Sequence, residues 1–212
     1  MAQTPHKDLD TAAAQWDANP GRVKLAHEVA AAIIREIKLS DKMDTLDFGC
    51  GTGLLTLQLQ PFIKSITGAD SSSGMLNMLE NKIAAQELAN VHTRRVDFES
   101  GAHVNGSYDL IVSSMVVHHV PDTADLFKEW FDLLHPGGQI AFADLDSEDG
   151  SFHGDNTGVF HQGFDREKLR QLLQNTGFQD IRDTTATTMS KEVPGQGLRE
   201  FPIFLISARK NS

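Results

Sequence analysis

A glycine-rich turn that directly follows an apolar stretch is the feature that most constrains the fold. The segment from Leu46 to Gly53 contains Asp, Phe, Cys and Thr between its glycines, and an amphipathic pattern opens at Leu54. Glycines adopt positive φ and let a ligand approach the backbone without meeting a β-carbon. A strand that enters a helix through such a turn is typical of an open α/β sheet, although a tight turn without a ligand and a dinucleotide site share the local pattern.

Short apolar runs alternate with amphipathic segments after this turn, as they do in a parallel sheet covered by helices. The runs predict strands near 45–48, 65–69, 91–96, 109–113, 139–144, 179–187 and 201–209. Apolar residues at helical spacing predict buried helix faces formed by Leu76, Leu79 and Ile83 and by Leu126, Phe127, Trp130, Phe131, Leu133 and Leu134. A last helix is predicted from an N-cap at Asp165 to a left-handed C-cap at Gly177.

Two segments stand outside this alternation. Apolar residues recur at every fourth position from Leu25 to Ile37, so we expect residues 1–40 to form a helical cap that packs on a larger body. Residues 145–164 are rich in Gly, Ser, Asp and His without a clear period, and we interpret them as a substrate lid. With 212 residues and no internal repeat or linker, one domain over 1–212 is expected.

Charge and composition limit the partners. The formal net charge is −10, whereas phosphate backbones are bound mainly by clustered Lys and Arg, so we expect no nucleic-acid partner and no acidic membrane surface. The one cysteine, Cys50, excludes an internal disulfide and any site that needs several thiolates. No apolar run approaches the roughly 20 residues that span a bilayer, and no signal-peptide pattern is present. We therefore expect a cytoplasmic protein.

Acidic residues follow the next two predicted strands. Asp70 ends the second strand, roughly 20 residues beyond the glycines, where an open α/β sheet places a carboxylate on ribose hydroxyls. Asp97 and Phe98 follow the third strand and provide an acceptor for an exocyclic amine beside an aromatic ring. The turn and the two acids together predict an adenosine site at one edge of the sheet. Taken singly, either acid is more typical of a helix or turn cap.

These motifs resemble those of the class I S-adenosylmethionine-dependent methyltransferases, particularly the small-molecule branch that includes ubiquinone and menaquinone biosynthesis methyltransferase-like proteins. The similar segments are Leu46 to Gly53, Asp70, Asp97 with Phe98, residues 108–113, and residues 134–138 before the fifth strand. The resemblance implies a Rossmann-like α/β fold with a seven-stranded, mostly parallel sheet, helices on both faces and an antiparallel last strand. It also implies S-adenosylmethionine as the cofactor.

The spacing of the glycines separates this cofactor from a dinucleotide. A dinucleotide needs the turn and the adjacent helix N-terminus for its pyrophosphate, usually as G-x-G-x-x-G. Here single residues separate Gly49, Gly51 and Gly53, which fits the methyltransferase pattern better. Fold analogy alone leaves an oxidoreductase open.

The resemblance implies a set of cofactor contacts. In the family, the glycine turn and the segment after the fourth strand hold the methionine part, and an N-terminal segment similar to Trp16-Asp17 closes over the cofactor in many members. The predicted cofactor-binding residues are Trp16, Asp47, Gly49, Cys50, Gly51, Gly53, Asp70, Ser71, Met75, Asp97, Phe98, Ser113 and Ser114.

Two histidines just past the fourth strand are the predicted catalytic residues. His119, and with less support His118, lie next to the expected methyl donor, and imidazole can take a proton from a hydroxyl, thiol or amine. Methyl transfer from a sulfonium depends mainly on positioning and exclusion of water, so a base is needed only for a protonated acceptor. A structural histidine bonded to backbone is the alternative for each.

Four residues of the 145–164 segment are the predicted acceptor contacts. They are Asp146, Phe152, His153 and His161, and the Phe-His pair recurs at 160–161. A solvated acidic loop is the alternative. Oxygen and imidazole ligands also suit divalent metals, but no fixed ligand spacing supports one, so no metal is predicted.

The sequence predicts an enzyme that transfers a methyl group from S-adenosylmethionine to an O, N, S or C atom of a small molecule. A protein or RNA methyltransferase of the same fold is the first alternative. A cofactor-binding module without turnover is the second. The acceptor and the oligomeric state are left open.

Overall fold

The computed structural model describes residues 9–96 and 104–211. Helices occupy Leu9–Ala12 (α1), Pro20–Glu36 (α2), Leu54–Leu59 (α3), Ser73–Ala85 (α4), Thr123–Leu133 (α5) and Arg166–Thr176 (α6). Strands occupy Asp44–Phe48 (β1), Ser65–Asp70 (β2), Val91–Arg95 (β3), Tyr108–Ser114 (β4), Leu134–Leu145 (β5), Gln179–Val193 (β6) and Gly197–Arg209 (β7). Short 3₁₀ helices lie at Ala13–Ala18, Gln60–Phe62 and Val117–His119.

Within the described ranges, the strands form one seven-stranded sheet in the order β3-β2-β1-β4-β5-β7-β6. The pairs from β3 through β5 are parallel, and β7 runs antiparallel to both β5 and β6. The predicted mostly parallel sheet with a reversed last strand is therefore confirmed. The strand order reverses between β1 and β4, and open α/β sheets bind ligands at the carboxyl ends of the strands at such a point.

A hydrophobic core lies on each face of the sheet, because successive strand residues point to opposite faces. Leu110 belongs to the first core, which α2, α3 and α4 cover with side chains such as Leu79. Its neighbour Ile111 belongs to the second core, which α5 and α6 cover with side chains such as Trp130 and Leu173. The predicted helices on both faces are confirmed.

The predicted ends of the last helix are also confirmed. The Asp165 carboxylate accepts hydrogen bonds from the backbone N–H groups of Glu167 and Lys168 at the start of α6. Gly177 closes the helix with a φ of 109°, a conformation that favours glycine. These local signals depend on residues close in sequence, so the sequence alone reveals them.

The N-terminal helix is shorter than the prediction. The Asn19 side chain accepts from Gly21 N–H at 2.9 Å, and Pro20 takes the first helical position, where its missing N–H costs nothing. Helix α2 therefore begins at Pro20 and ends at Glu36, and the preceding residues form separate short helices. The predicted apolar stripe of α2 does face the first core.

Three strands are longer than predicted. The assignment of Leu134 to a helix face was wrong, because this residue begins β5 and pairs with Tyr108, although it is buried in the same core as α5. Strands β6 and β7 extend beyond the predicted ends into a hairpin that closes at 194–196. The added residues are mostly charged or hydroxylated and partly exposed, so they lack the apolar pattern that predicted the other strands.

Candidate active site

The turn after β1 brings its three glycines to the carboxyl edge of the sheet, each with positive φ. A β-carbon at Gly49 would collide with the Val116 side chain, and one at Gly53 would collide with Leu79. A β-carbon at Gly51 would instead meet open space, since the nearest atom beyond its chain neighbours is Sδ of Met75 at 4.0 Å. The middle glycine thus leaves room for a ligand at the backbone.

Asp70, the last residue of β2, braces this turn. Its carboxylate accepts from Gly51 N–H at 2.8 Å and from Ser72 N–H at 2.9 Å. Burial raises the pKa of the Asp70 carboxyl, and the hydrogen bonds from these N–H groups partly offset that effect. A carboxylate has about four lone-pair sites, so both oxygens can still accept a hydroxyl.

Asp47 lies beneath the turn on β1. Its carboxylate is fully buried and accepts from the Thr56 hydroxyl at 2.5 Å. Desolvation raises the pKa of Asp47 to about 7, and the nearby Asp70 carboxylate adds to the shift. Burial likewise raises the pKa of the neighbouring Cys50 thiol, so this cysteine is not an activated nucleophile.

The remaining predicted cofactor residues lie around the same edge. Ser113 is buried and donates its hydroxyl to the Phe48 carbonyl at 2.8 Å, which ties β4 to β1. Ser114 and Ser71 lie at the ends of β4 and β2 and are partly exposed. Asp97 and Phe98 fall outside the described residues.

Two carboxylates anchor the N-terminal segment, one to the glycine turn and one to the start of α4. Asp17 accepts from the Thr52 hydroxyl at 2.6 Å and pairs with Lys82 at 2.5 Å. Asp10 accepts from the Ser72 hydroxyl at 2.5 Å and from Gly74 N–H at 2.7 Å, and these bonds lower the pKa of Asp10.

Trp16 lies between these two anchors. The Arg22 guanidinium stacks over the Trp16 ring with 3.7 Å to its centroid, and burial lowers the pKa of Arg22. Asp10 could not be identified from the sequence, because its partners are more than 60 residues away. Long-range contacts of this kind leave no local pattern.

His118 and Asp144 form a buried pair at the carboxyl ends of β4 and β5. The His118 Nδ1 lies 2.7 Å from Asp144 Oδ1, and their side chains are 1% and 0% exposed. The His118 backbone N–H also donates to Asp144 Oδ2 at 3.2 Å. Asp144 is the functional candidate that sequence reasoning left out of the catalytic set, although its position at a strand end is the same signal that identified Asp70.

Three imidazoles meet at this point. The ring centroid of His118 lies 4.1 Å from that of His119 and 4.9 Å from that of His153. His119 is exposed, and its Nδ1 lies 2.7 Å from the Gly158 carbonyl oxygen. The structure therefore brings both predicted catalytic histidines together with one predicted acceptor contact.

The 145–164 segment folds over the histidines. The backbone N–H groups of Phe160 and His161 donate to the His118 carbonyl oxygen at 3.0 and 3.2 Å. His161 Nε2 lies 2.9 Å from the Val120 carbonyl oxygen, so this side chain has a backbone partner.

The beginning of this segment is anchored away from the histidines. Arg166 makes two bonds of 2.6 Å to the Asp146 carboxylate, so Asp146 serves as a structural ion pair. Phe152 is buried against Phe201 with ring centroids 5.2 Å apart, and Lys191 donates to its carbonyl oxygen. Of the four predicted acceptor contacts, His153 is the one placed in the histidine cluster.

Other parts of the described structure are less suited to the chemistry. No group of three His, Cys, Asp or Glu residues among the described residues is arranged to hold a metal ion. A cleft of about 290 Å³ lies beside α6 and includes His161 and Lys168, and another of about 360 Å³ lies at the opposite edge of the sheet near Asp109. Neither is lined by the glycine turn.

In the part of the chain that the structure describes, no helix has the length and apolar character needed to cross a membrane.

Residues 22–183 match the model of a family described as a methyltransferase domain. The chain belongs to this methyltransferase family. Its members are S-adenosylmethionine-dependent enzymes, so the predicted enzyme class and cofactor are confirmed at the level of the family.

Curated relatives of this methyltransferase carry related names. An uncharacterized methyltransferase of Schizosaccharomyces pombe is 32% identical over 63% of this chain and 52% of its own length. Ubiquinone biosynthesis O-methyltransferases of Acinetobacter baylyi and Coxiella burnetii are each 29% identical, over 50% and 63% of this chain and 45% and 58% of their own lengths. The chain thus spans about half the length of these relatives.

Solved structures share the fold of this methyltransferase. The YcgJ protein of Bacillus subtilis superposes with a TM-score of 0.73 at 14% identity, covering 88% of this chain and 99% of that one. Phosphoethanolamine N-methyltransferase 2 of Haemonchus contortus, solved with S-adenosyl-L-methionine, gives 0.72 at 15% identity, over 98% of this chain and 61% of that one. These likenesses confirm the Rossmann-like fold.

Proposed function

We propose that this chain transfers a methyl group from S-adenosylmethionine to a small molecule, with an oxygen atom as the favoured acceptor. The observation that carries the proposal is the turn at Gly51, where the backbone faces open space and the Asp70 carboxylate stands beside it. An oxygen acceptor is favoured because two curated relatives are named O-methyltransferases.

The residues at the carboxyl edge fit the cofactor. Asp70 retains lone pairs for the ribose hydroxyls, and the turn at Gly49 to Gly53 gives a backbone cradle for the methionine part, with Ser113 and Ser114 beside it. The predicted adenine contacts, Asp97 and Phe98, follow β3 in the sequence and belong to the same proposed set. Met75, Ser71, Asp47 and Cys50 surround the cradle.

When bound, S-adenosylmethionine supplies a methyl group on a cationic sulfur. The chain contributes position and exclusion of water, which account for much of the acceleration of such a displacement. The N-terminal segment contacts the turn through Asp17 and the start of α4 through Asp10, and the 145–164 lid covers His118. His118 and His119 are the proposed catalytic residues, and His153 is the proposed acceptor contact beside them. The other predicted acceptor contacts, Asp146, Phe152 and His161, have structural partners of their own.

A screen of acceptors tests this function. The protein is incubated with S-adenosylmethionine and a set of phenols, alcohols, amines and thiols, and S-adenosylhomocysteine is measured by mass spectrometry. Formation of S-adenosylhomocysteine with at least one hydroxyl compound supports the proposal. Methylation of protein or RNA alone would favour the first alternative, and tight cofactor binding with no turnover across all classes would favour a binding module.

A further inference from the structure

The hydrogen bonds of the buried pair fix where His118 carries its proton. The Asp144 carboxylate accepts from two backbone N–H groups, that of His118 at Oδ2 and that of Leu145 at Oδ1, at 3.2 and 2.8 Å, and its Oδ1 also lies 2.7 Å from His118 Nδ1. An ionised carboxylate only accepts, so Nδ1 must donate. A neutral His118 therefore has its lone pair on Nε2.

That lone pair is buried and, among the described residues, His118 Nε2 has no hydrogen-bond partner. Leaving a buried polar atom unsatisfied costs about 1–3 kcal/mol. Native structures keep such atoms mainly where a ligand or a catalytic role accounts for them. A proton-donating ligand group would satisfy Nε2.

The surroundings of Nε2 fit an acceptor site. His118 lies two residues beyond Val116, whose side chain fills the space left by the missing β-carbon of Gly49. Since consecutive Cα atoms are about 3.8 Å apart, the Cα atom of His118 lies within roughly 8 Å of the Cα atom of Val116. On the other side, the rings of His119 and His153 face His118.

We propose that Asp144 positions His118 so that its Nε2 takes the proton of a hydroxyl acceptor, and that the acceptor is therefore a hydroxyl compound. This inference rests on the proposed function. As the acceptor oxygen forms its bond to the methyl carbon, the methyl–sulfur bond breaks with its electron pair kept by sulfur, and the hydroxyl proton moves to Nε2. Asp144 stabilises the resulting imidazolium, which later releases the proton to water.

The His118–Asp144 pair should accelerate methyl transfer to a hydroxyl more than methyl transfer to an amine. A neutral hydroxyl is a poor nucleophile until it loses its proton, so a base beside it accelerates the transfer. A neutral amine attacks through its own lone pair and needs no base beforehand. A buried base that is held by a carboxylate therefore favours a hydroxyl acceptor over an amine.

The same hydrogen bonds distinguish His118 from His119 as the proton acceptor. His119 is exposed and is oriented by the Gly158 carbonyl oxygen, whereas His118 is oriented by a carboxylate that stabilises its charged form. His118 is therefore the proton acceptor, in contrast to the sequence-based preference for His119.

The first test needs no acceptor. The protein is labelled with ¹⁵N-histidine, and the ring nitrogens of His118 are assigned by comparison with His118→Asn. The expected spectrum shows a protonated Nδ1 and an unprotonated Nε2 for His118 at neutral pH. A proton on Nε2 would overturn the inference whatever an activity assay gives.

The second test uses catechol and o-phenylenediamine, which share a shape and differ in the reacting group. In His118→Asn the amide still donates to Asp144 but no basic nitrogen remains, so kcat with catechol should fall roughly 100-fold or more while cofactor affinity is kept. Turnover of the diamine should change little. In Asp144→Asn the acid limb of the pH–rate profile with catechol should move to lower pH, because the imidazolium loses its counter-charge beside His119 and His153.

The exposed residues His135 and Asp132 provide matched controls. His135→Gln and Asp132→Asn should leave both turnover rates and the pH–rate profile unchanged. Equal losses for catechol and diamine in His118→Asn, or an unmoved profile in Asp144→Asn, would contradict the assignment. If the unaltered protein fails to bind S-adenosylmethionine, the proposed function fails and the inference fails with it. If the protein binds the cofactor but His118 Nε2 carries the proton, the inference alone fails.

Discussion

The Asp70 carboxylate accepts a hydrogen bond from the Gly51 N–H at 2.8 Å and so ties the end of β2 to the turn after β1. The same carboxylate holds Ser72 N–H at the start of α4. One side chain therefore fixes the two backbone segments that border the proposed ribose position. It has a structural task as well as the ligand-binding task expected from the sequence.

Replacement of Asp70 should weaken cofactor binding and stability together. In Asp70→Ala two buried N–H groups lose their acceptor, which costs about 1–3 kcal/mol of unfolding free energy for each group. In Asp70→Asn one oxygen remains, so a smaller loss is expected. Urea unfolding and calorimetric titration with S-adenosylmethionine measure both effects, and an Asp70→Ala protein with unchanged cofactor affinity would contradict the ribose assignment.

Two glycines of the turn should respond differently to alanine. Both have positive φ, of 72° at Gly49 and 53° at Gly51. Alanine should therefore introduce a similar backbone strain, of about 1–2 kcal/mol, at either position. Gly49→Ala also collides with Val116 and should lower stability further, whereas Gly51→Ala places its methyl in open space.

Gly51→Ala should therefore lose cofactor affinity out of proportion to its loss of stability. The melting temperature and the calorimetric dissociation constant are compared for the two variants. If Gly51→Ala binds S-adenosylmethionine as well as the unaltered protein, the cradle does not face the cofactor.

Asp47 should make stability depend on pH. Its pKa is raised in the folded state from 3.8 to about 7, so folding takes up a proton between these values. A raised pKa gives stability that is complete below the unfolded value and is lost as pH rises through the folded value. The stability of the unaltered protein relative to Asp47→Asn should therefore fall between about pH 5 and about pH 8, by the order of 1–4 kcal/mol.

Urea unfolding of both proteins across this range measures the difference. Asp44 and Asp149 have lowered pKa values, so their contributions change at lower pH and cancel in the comparison. Parallel stability curves for the two proteins would show that Asp47 is ionised in the folded state.

The two anchors of the N-terminal segment should control cofactor release. Asp17→Asn loses its ion pair with Lys82, and Asp10→Asn weakens the bonds to Ser72 and Gly74, so the segment should detach more readily. Stopped-flow displacement should show faster release of S-adenosylmethionine in both variants, and limited proteolysis should cut the segment sooner. Unchanged release rates would show that the segment contributes to packing but does not control cofactor release.

The strands β1, β2 and β4 could be predicted because each is mostly buried and has a clear turn on either side. The hairpin of β6 and β7 extends beyond its predicted ends because residues such as Lys191 and Arg199 are partly exposed and lack that pattern. Leu134 was misassigned because burial in the second core looks alike from a helix and from a strand. Hydrophobic residues show which face of an element is buried, but they do not show whether that element is a helix or a strand.

For the candidate site too, some residues could be predicted from the sequence and others could not. Asp70 was predicted because strand ends of an open α/β sheet converge at one edge. Asp47 was predicted because the glycine-rich segment that contains it resembles a motif of the family. The preference for His119 over His118 came from adjacency alone, since sequence does not reveal which of two neighbouring histidines is buried. The roles of Asp10 and Asp144 depend on contacts that are distant in sequence. Such contacts become visible once the elements are packed.

Calorimetric titration of the full chain with S-adenosylmethionine is the decisive experiment, because both proposals require this ligand at the glycine turn. Saturable one-to-one binding is predicted, together with its loss in Gly51→Val, whose side chain would fill the cradle. Absence of binding by the folded, unaltered protein, or equal binding by Gly51→Val, would contradict the account.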